Sequence, residues 1–337
     1  MAASVYLVGL TAIVTIRERA DMAEKNEFQK SLDIHTIYRK NSIRLLPYKN
    51  QQLRILNWNV ERGFYPDQLV KYLQSANPDI ACLQEVDWGN ERTDGADILD
   101  YIARQTGMSG YFGVEFFEIA SPYRSTRMAG GGVHGNAILT RIQPSTVYRV
   151  ELPMLFDWEN PAHGKERIAR SEKRIGARFA LCADFRSADS VLTVCTAHFE
   201  DKMGGVDGRI MQLDHLVKSL DKRSALSQVQ VIAGDMNTFD TWLVRLLGVS
   251  KKQEAKHKPW YVSECKWWTT DVLPKRELQD PFTCKDWTYG ITWLYRQKLD
   301  WMLLRNARVL QQGMGDFNSS DHRPLWIDIV PSEHPVA

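Results

Sequence analysis

Long apolar runs are missing from this chain. The nearest candidate is the start, Ala2 to Ile16, which is too short to span a bilayer. No Lys or Arg precedes it and no clear small-residue cleavage site follows, so it makes a poor signal peptide. A helix docked on the domain, or an uncleaved extension, is the expected reading. An excess of one charge is missing too. Lys and Arg total 43 against 41 Asp and Glu, a formal net charge of +2, which does not by itself call for a polyanion partner. Cysteine is scarce. There are 5, an odd number, with no close pairs, no CxxC and no Cys/His cluster at zinc spacing. Cys82, Cys182 and Cys195 lie in apolar, strand-like runs and are expected to be buried thiols. Such usage favours an intracellular setting. No internal repeat and no long low-complexity tract is visible.

What is there is ordinary globular material, 44% hydrophobic and 25% charged over 337 residues. That length suits one large domain or two ordinary ones. From Arg17 to Asn50 the composition is polar and charged, so 1–50 reads as an N-terminal extension, 51–331 as the main domain and 332–337 as a tail. Leu53–Val60 reads as a strand, and Pro66 opens a helix with Leu69, Val70, Tyr72 and Leu73 on one face. Asp79–Val86 is a second strand, 97–105 a helix, 111–119 and 136–140 further strands. Residues 174–185 and 191–198 read as an antiparallel pair, followed by a helix with its apolar stripe on Leu213, Leu216, Val217 and Leu220. Val229–Ala233 is a buried strand, with a short helix expected near Trp242–Leu247 and strands at 298–304 and 324–330. Several of these strands are joined too tightly for parallel crossovers, which argues for mixed sheets.

The chemistry-bearing residues recur where strands end. Asn59 closes the first strand, Glu85 the second, and His198 the antiparallel pair. Asp235 and Asn237 close Val229–Ala233, Asp300 opens an apolar strand, and Asp321 and His322 precede the last one. A buried carboxylate must be paired or must bind a cation. Oxygen ligands with histidines and no thiolate suit Mg²⁺ or Mn²⁺ better than zinc. Glu85 is the strongest ligand candidate, with Asn59 and Asp321 beside it. His198 and His322 could stabilise charge on phosphoryl oxygens, and Asp300 could hold an imidazole in its donor tautomer. Asp235 could accept the proton of an attacking water that Asn237 orients.

Seven blocks then stand in a telling order: Asn57-Trp58-Asn59, Leu83-Gln84-Glu85, Gly135-Asn136-Ala137-Ile138-Leu139, Thr196-Ala197-His198-Phe199, Gly234-Asp235-Met236-Asn237, Leu299-Asp300-Trp301 and Ser320-Asp321-His322. Each is weak alone; in sequence they resemble the endonuclease/exonuclease/phosphatase superfamily over roughly residues 53 to 330. The resemblance implies a four-layer α/β sandwich with two mixed sheets packed face to face. It implies divalent-metal-dependent hydrolysis of a phosphate ester by an activated water. Carried over, Glu85 looks like the main metal ligand, with Asn59 and Asp321 on the metal side. Asp235 and Asn237 look like the water-handling pair, His322 like the phosphate-contacting histidine steered by Asp300, and Asn136 like a residue near the substrate. His at position 198 is similar to the deoxyribonuclease and sphingomyelinase branches, whereas apurinic endonucleases carry Asn there.

The loops carry the substrate question. Arg124 and Arg127 could clamp an anionic substrate, although solvated loop charge is the plainer reading. His134 reads as a solvated loop histidine after three glycines. Trp267 and Trp268 read as packing under a long loop, and Arg209 and Gln212 as ties between helix and sheet. The expected substrate is nucleic acid, with a phospholipid or sphingomyelin phosphodiesterase and an inositol- or sugar-phosphate phosphatase as alternatives. A non-catalytic phosphate-binding module is the alternative of another class. A monomer without an obligate protein partner is expected.

Overall fold

The computed structural model describes residues 25–49, 51–188, 190–223, 228–239, 258–259, 261–292 and 295–331. The apolar start, the helix expected near Trp242–Leu247 and the tail lie outside the described residues. The strands are β1 (Ile37–Lys40), β2 (Leu53–Arg62), β3 (Ile80–Trp88), β4 (Ser109–Glu118), β5 (Val133–Thr140), β6 (Thr146–Glu151), β7 (Arg174–Gly176), β8 (Phe179–Arg186), β9 (Val191–His198), β10 (Gln228–Asp235), β11 (Tyr289–Thr292), β12 (Tyr295–Gln297), β13 (Asp300–Arg305), β14 (Ala307–Met314) and β15 (Leu325–Pro331). One sheet runs β1-β4-β5-β3-β2-β15-β14, with β7 paired to β4; the other runs β13-β10-β9-β8-β6. Both are mixed: β2 with β3 and β9 with β10 are parallel, while their other neighbours are antiparallel.

The central strands are apolar on both faces because both faces are covered. Along β2, Leu53 and Ile55 join Val194, Val231 and Met302 of the other sheet in a core between the sheets. Leu56, Trp58 and Val60, from the opposite face, pack under the helices Pro66–Ala76 and Ile98–Thr106. The second sheet turns Cys195, Ala197 and Ile232 outward beneath helix Gly205–Arg223 through Leu213, Leu216 and Leu220. The order of layers is helix, sheet, sheet, helix, as expected. Burying each such side chain contributes roughly 1.5–3 kcal/mol before entropy is counted.

Four details depart from expectation. The polar segment before Leu53 is not a free leader: β1 pairs with β4, and Gln29 donates to the carbonyls of Glu118 and Gly132. Strands β6 and β14 are edge strands with half-exposed, mixed-polarity patterns, so they carry no period-2 apolar signal. Cys182 and Cys195 are not thiols. They oppose each other across β8 and β9 with Cα atoms 4.0 Å apart and form a disulfide. Cys265 and Cys284 form a second, and Cys82 is the free buried thiol. Trp267 and Trp268 are core residues, as expected.

Candidate active site

Register builds the site. Asp235, at the end of β10, is paired with His198 of β9 on one side and Asp300 of β13 on the other. Three polar side chains therefore share one cross-strand row at the mouth of the second sheet. Gly234 lets the strands close up there: a Cβ on it would lie 1.9 Å from the Ala197 carbonyl oxygen. Opposite, the parallel pair β2–β3 is irregular between Asn59 and Arg62, and β3–β5 is irregular between Leu83 and Val86. Glu85 sits in that irregularity with φ +56°, and Glu61 and Arg62 are also left-handed. A bulge re-aims a side chain, and non-glycine residues with positive φ are uncommon outside turns and functional sites. Here the bulge turns Glu85 into the cleft between the two sheet ends.

That cleft, about 410 Å³, is lined by Glu85, His134, His198, Asp235, Asn237, Asp321 and His322 among others. Asp235 is held from three sides. Asn59 Nδ2 donates to its Oδ2 at 3.1 Å, and the Asn237 backbone N–H donates to its Oδ1 at 2.9 Å. Nε2 of His198 and Nε2 of His322 each lie 3.7 Å from Oδ2. His322 is oriented by Asp300, whose Oδ2 is 2.7 Å from Nδ1. The loop before β15 is pinned as well. The His322 N–H donates to Ser320 Oγ, Ser320 Oγ donates to the Asn59 carbonyl, and Trp58 Nε1 donates to the His322 carbonyl.

These contacts set the charges. Burial pushes the Asp235 carboxyl up to about 7, with Asp300 adding to the rise and His322 opposing it. Burial disfavours the His322 cation, but Asp300 and Asp235 outweigh it and hold its pKa well above the usual value. Burial and the Arg178 guanidinium push His198 well down, so its ring is neutral. Glu85 is half-buried, which disfavours its charge, yet Arg62 and the neighbouring histidines hold it well below the usual carboxylate range. Arg62 Nη1 lies 2.8 Å from Glu85 Oε2. The site thus offers a carboxylate that stays ionised, a base poised near neutrality and an imidazolium.

The structure brings Asn59, Glu85, His198, Asp235, Asn237, Asp300, Asp321 and His322 to this one cleft. Asn59 stands against Asp235: its amide bonds Asp235, and its Oδ1 accepts from the Glu61 backbone N–H at 3.1 Å. Asp321 is exposed at the rim, with Oδ1 4.0 Å from His322 Nε2. Two expected substrate contacts are corrected. Asn136 is fully buried and ties the sheets through the Phe179 carbonyl at 3.1 Å. Arg124 is inward-facing, bonded to Glu118 at 2.6 Å and to the Met128 and Lys173 carbonyls. Arg127 lies on the rim, exposed, paired with Glu61 and over the Phe64 ring. His134 is a third correction. It is 2% exposed, belongs to β5 and lines the cleft. Arg62 and Arg178 also line it. The signal for Arg62 is the polar Glu-Arg pair continuing β2 past Asn59.

The ends of two sheets thus converge on a carboxylate, an amide pair and an Asp–His dyad. The endonuclease/exonuclease/phosphatase family matches residues 56–322 of this chain, and the chain belongs to that family. Its members hydrolyse phosphoester bonds and generally use divalent metals. Solved structures share the fold. An endonuclease/exonuclease/phosphatase from Beutenbergia cavernae DSM 12333 superposes with a TM-score of 0.56 at 17% identity, covering 85% of this chain and 73% of that one. The human Nocturnin catalytic domain with bound sulfate gives 0.54 at 15%, over 85% and 96%. ANGEL2, described as a 2',3'-cyclic phosphatase, gives 0.51 at 14%, over 82% and 95%. No curated protein matches the chain in sequence.

Proposed function

We propose that this protein is a phosphodiesterase dependent on Mg²⁺ or Mn²⁺, with nucleic acid as its substrate. The observation that carries the reaction is the convergence on Asp235: Asn59 and Asn237 aim its carboxylate, and the Asp300–His322 dyad stands 3.7 Å away. The donor set fits a divalent ion, since Glu85 is ionised and no cysteine is among the described residues that line the cleft. Glu85, with Asp321 at the rim, would hold that ion. When bound, it supplies charge neutralisation at a non-bridging phosphoryl oxygen. Asp235 takes a proton from water as the new P–O bond forms and the ester P–O bond breaks, and the leaving oxygen takes up a proton from solvent water. His322, a cation, donates from Nε2 to the phosphoryl oxygen where charge develops. Asn237 fixes the lone pair of Asp235 that faces the water.

Nucleic acid is favoured by Arg62, Arg174, Arg178 and Lys202 on the cleft wall, since basic side chains suit a polyanion, even though Arg62, Arg174 and Arg178 are each paired with a glutamate. The test is hydrolysis of single- and double-stranded DNA, RNA, sphingomyelin and inositol phosphates with Mg²⁺ or Mn²⁺ and with EDTA. Cation-dependent cleavage of nucleic acid that weakens steeply with salt supports the reading. Turnover confined to the lipid or the inositol phosphates overturns the substrate, and no turnover of any substrate overturns the reaction.

A further inference from the structure

The Asp300–His322 pair has a counterpart on the other wall of the cleft. Asp87 of β3 and His134 of β5 are directly opposed in register, and Asp87 Oδ1 lies 3.1 Å from His134 Nδ1. Arg92 locks Asp87 from behind with two parallel bonds, Nε to Oδ2 at 2.7 Å and Nη2 to Oδ1 at 2.8 Å. The Arg92 and Asp87 side chains are wholly buried. Such a chain is costly to bury, and a solvated loop histidine would not need it. Its effect is on His134. With Nδ1 directed at a carboxylate, that nitrogen is the donor, and in the neutral ring Nε2 carries the lone pair.

The remaining surroundings of His134 decide what that lone pair meets. One ligand atom each from Glu85, His134 and His198 lies within 4.8 Å of the others. His198 is 5% exposed; its Nδ1 faces Glu115 Oε2 at 3.8 Å, beyond hydrogen-bond reach, and has no hydrogen-bond partner among the described residues. A buried ring nitrogen without a partner costs free energy unless something else takes it. A histidine whose far nitrogen is held by a carboxylate, beside a second, unsatisfied histidine and an ionised carboxylate, is the usual surrounding of a metal-bound imidazole. The second three-residue group, Asp235, Asp300 and His322, differs, because Asp300 and His322 already satisfy each other.

We propose that Glu85, His134 and His198 form one three-ligand seat for a divalent transition ion, with Asp87 and Arg92 as positioning residues. The inference rests on the reading that Glu85 holds the ion of a phosphoester hydrolase, and it names the ion's class. Two imidazoles and one carboxylate suit Mn²⁺, Co²⁺ or Zn²⁺ better than Mg²⁺, which prefers oxygen and water. It also gives His198 a ligand's role in place of a phosphate contact. Arg62, paired with Glu85, is displaced from one carboxylate oxygen by the arriving ion.

The probe is Co²⁺ added to the full-length protein after EDTA treatment and desalting. One equivalent is expected to bind with a visible absorption band. The proton NMR spectrum of the Co²⁺ protein should show two strongly shifted, exchangeable ring N–H signals, one per ligated histidine. This readout uses the unaltered chain and stands whether or not a variant folds. His134→Gln should lose one shifted signal and weaken Co²⁺ binding at least tenfold, and Asp87→Asn should weaken it about 10- to 100-fold, with thermal unfolding recorded for both. Absence of shifted imidazole signals in the wild-type protein overturns the proposal, and so does unchanged Co²⁺ affinity in a folded His134→Gln protein. Failure of the underlying reading is separate: it would be seen as no phosphoester turnover with any ion, whatever the Co²⁺ spectrum shows.

Discussion

Replacing Asp300 by Asn removes one charge and changes almost no volume. Asp300 is fully buried, its Oδ2 is 2.7 Å from His322 Nδ1, and its backbone N–H is held by Thr288 Oγ1. The side chain will therefore stay where it is while its charge goes. Two losses follow. The charge-assisted bond that orients the ring is weakened, worth roughly 1.5–3 kcal/mol. The imidazolium also loses the leading group that sustains it, so Nε2 no longer presents a cationic donor to the phosphoryl oxygen. Loss of one donor to a developing oxyanion costs about 2.7–4 kcal/mol, or roughly 10²–10³ in kcat. The sign of the pH effect is fixed. Asp300 raises the His322 pKa, so the wild-type cation persists to higher pH and activity falls as pH rises through that raised value. In the Asn variant the pKa drops, and the cation is lost at lower pH. The kcat ratio of wild type to variant should therefore be near 10²–10³ at pH 8 and clearly smaller at pH 6. Hydrolysis of bis(p-nitrophenyl) phosphate with Mg²⁺ or Mn²⁺, from pH 6 to 9, measures it. A folded variant within about threefold of wild type at pH 8, with an unmoved profile, would refute the dyad's role.

The other predictions concern how the site and its frame hold charge. Asp235→Asn should abolish most turnover yet stabilise the fold at alkaline pH. The folded carboxyl titrates near 7 and the unfolded one near 3.9, so the wild-type penalty grows as pH rises between these values; thermal unfolding should show a gain at pH 8 that disappears at pH 4, and an equal gain at both would contradict it. Glu118, ringed by Arg92, Arg124 and Arg174 and held well below the usual range, contributes stability that is full above about pH 4.3 and fades as pH falls further. Glu118→Gln should therefore destabilise at pH 7 and progressively less below pH 4 in denaturant titrations. Arg124→Ala removes the nearest of three guanidiniums from that buried carboxylate, leaving Arg92 and Arg174, and should cost about 1.5–3 kcal/mol, with KM for a short phosphodiester unchanged; a raised KM at unaltered stability would restore it to the substrate. Glu85→Gln should remove metal-dependent turnover while far-UV circular dichroism stays native.

The sheets were legible where burial is two-sided. Ile55-Leu56 and Val231-Ile232-Ala233 are apolar on consecutive positions because layers cover both faces, and such runs stand out in any composition. Edge strands do not. Lys40 in β1, Arg149 in β6 and Gln311 in β14 face water or half-buried margins, so the residues that form these strands are those a linker would use, and only pairing with β4, β8 and β15 makes them strands. The disulfides were hidden for a related reason. Cys182 and Cys195 are 13 apart in sequence, and their apposition depends on the exact register of the β8–β9 hairpin, which no spacing rule reads.

The site obeys the same logic. A charged side chain at the end of a strand covered on both faces stands out, so His198 and Asp235 could be recognised without knowing how the sheets pack, whereas Glu85 lies inside β3, at its bulge. His134 and Arg124 broke that inference in opposite directions. Three glycines before His134 imitate a loop, yet they let the chain enter β5 so tightly that the imidazole faces Asp87 across the ladder. Arg124 stands in a real loop, yet Glu118, six positions earlier, sits buried at the end of β4 and draws the guanidinium inward. In both cases the missing information was the partner's burial, since a charge's destination is set by the most desolvated opposite charge within its reach. On that argument Arg127, whose partner is the partly buried Glu61, is the loop arginine left open to solvent. Arg127→Ala should raise KM for a nucleic-acid substrate several-fold and flatten its salt dependence by about one phosphate contact, with kcat on a short diester unchanged. Equal salt slopes for the two proteins would return Arg127 to the solvated surface.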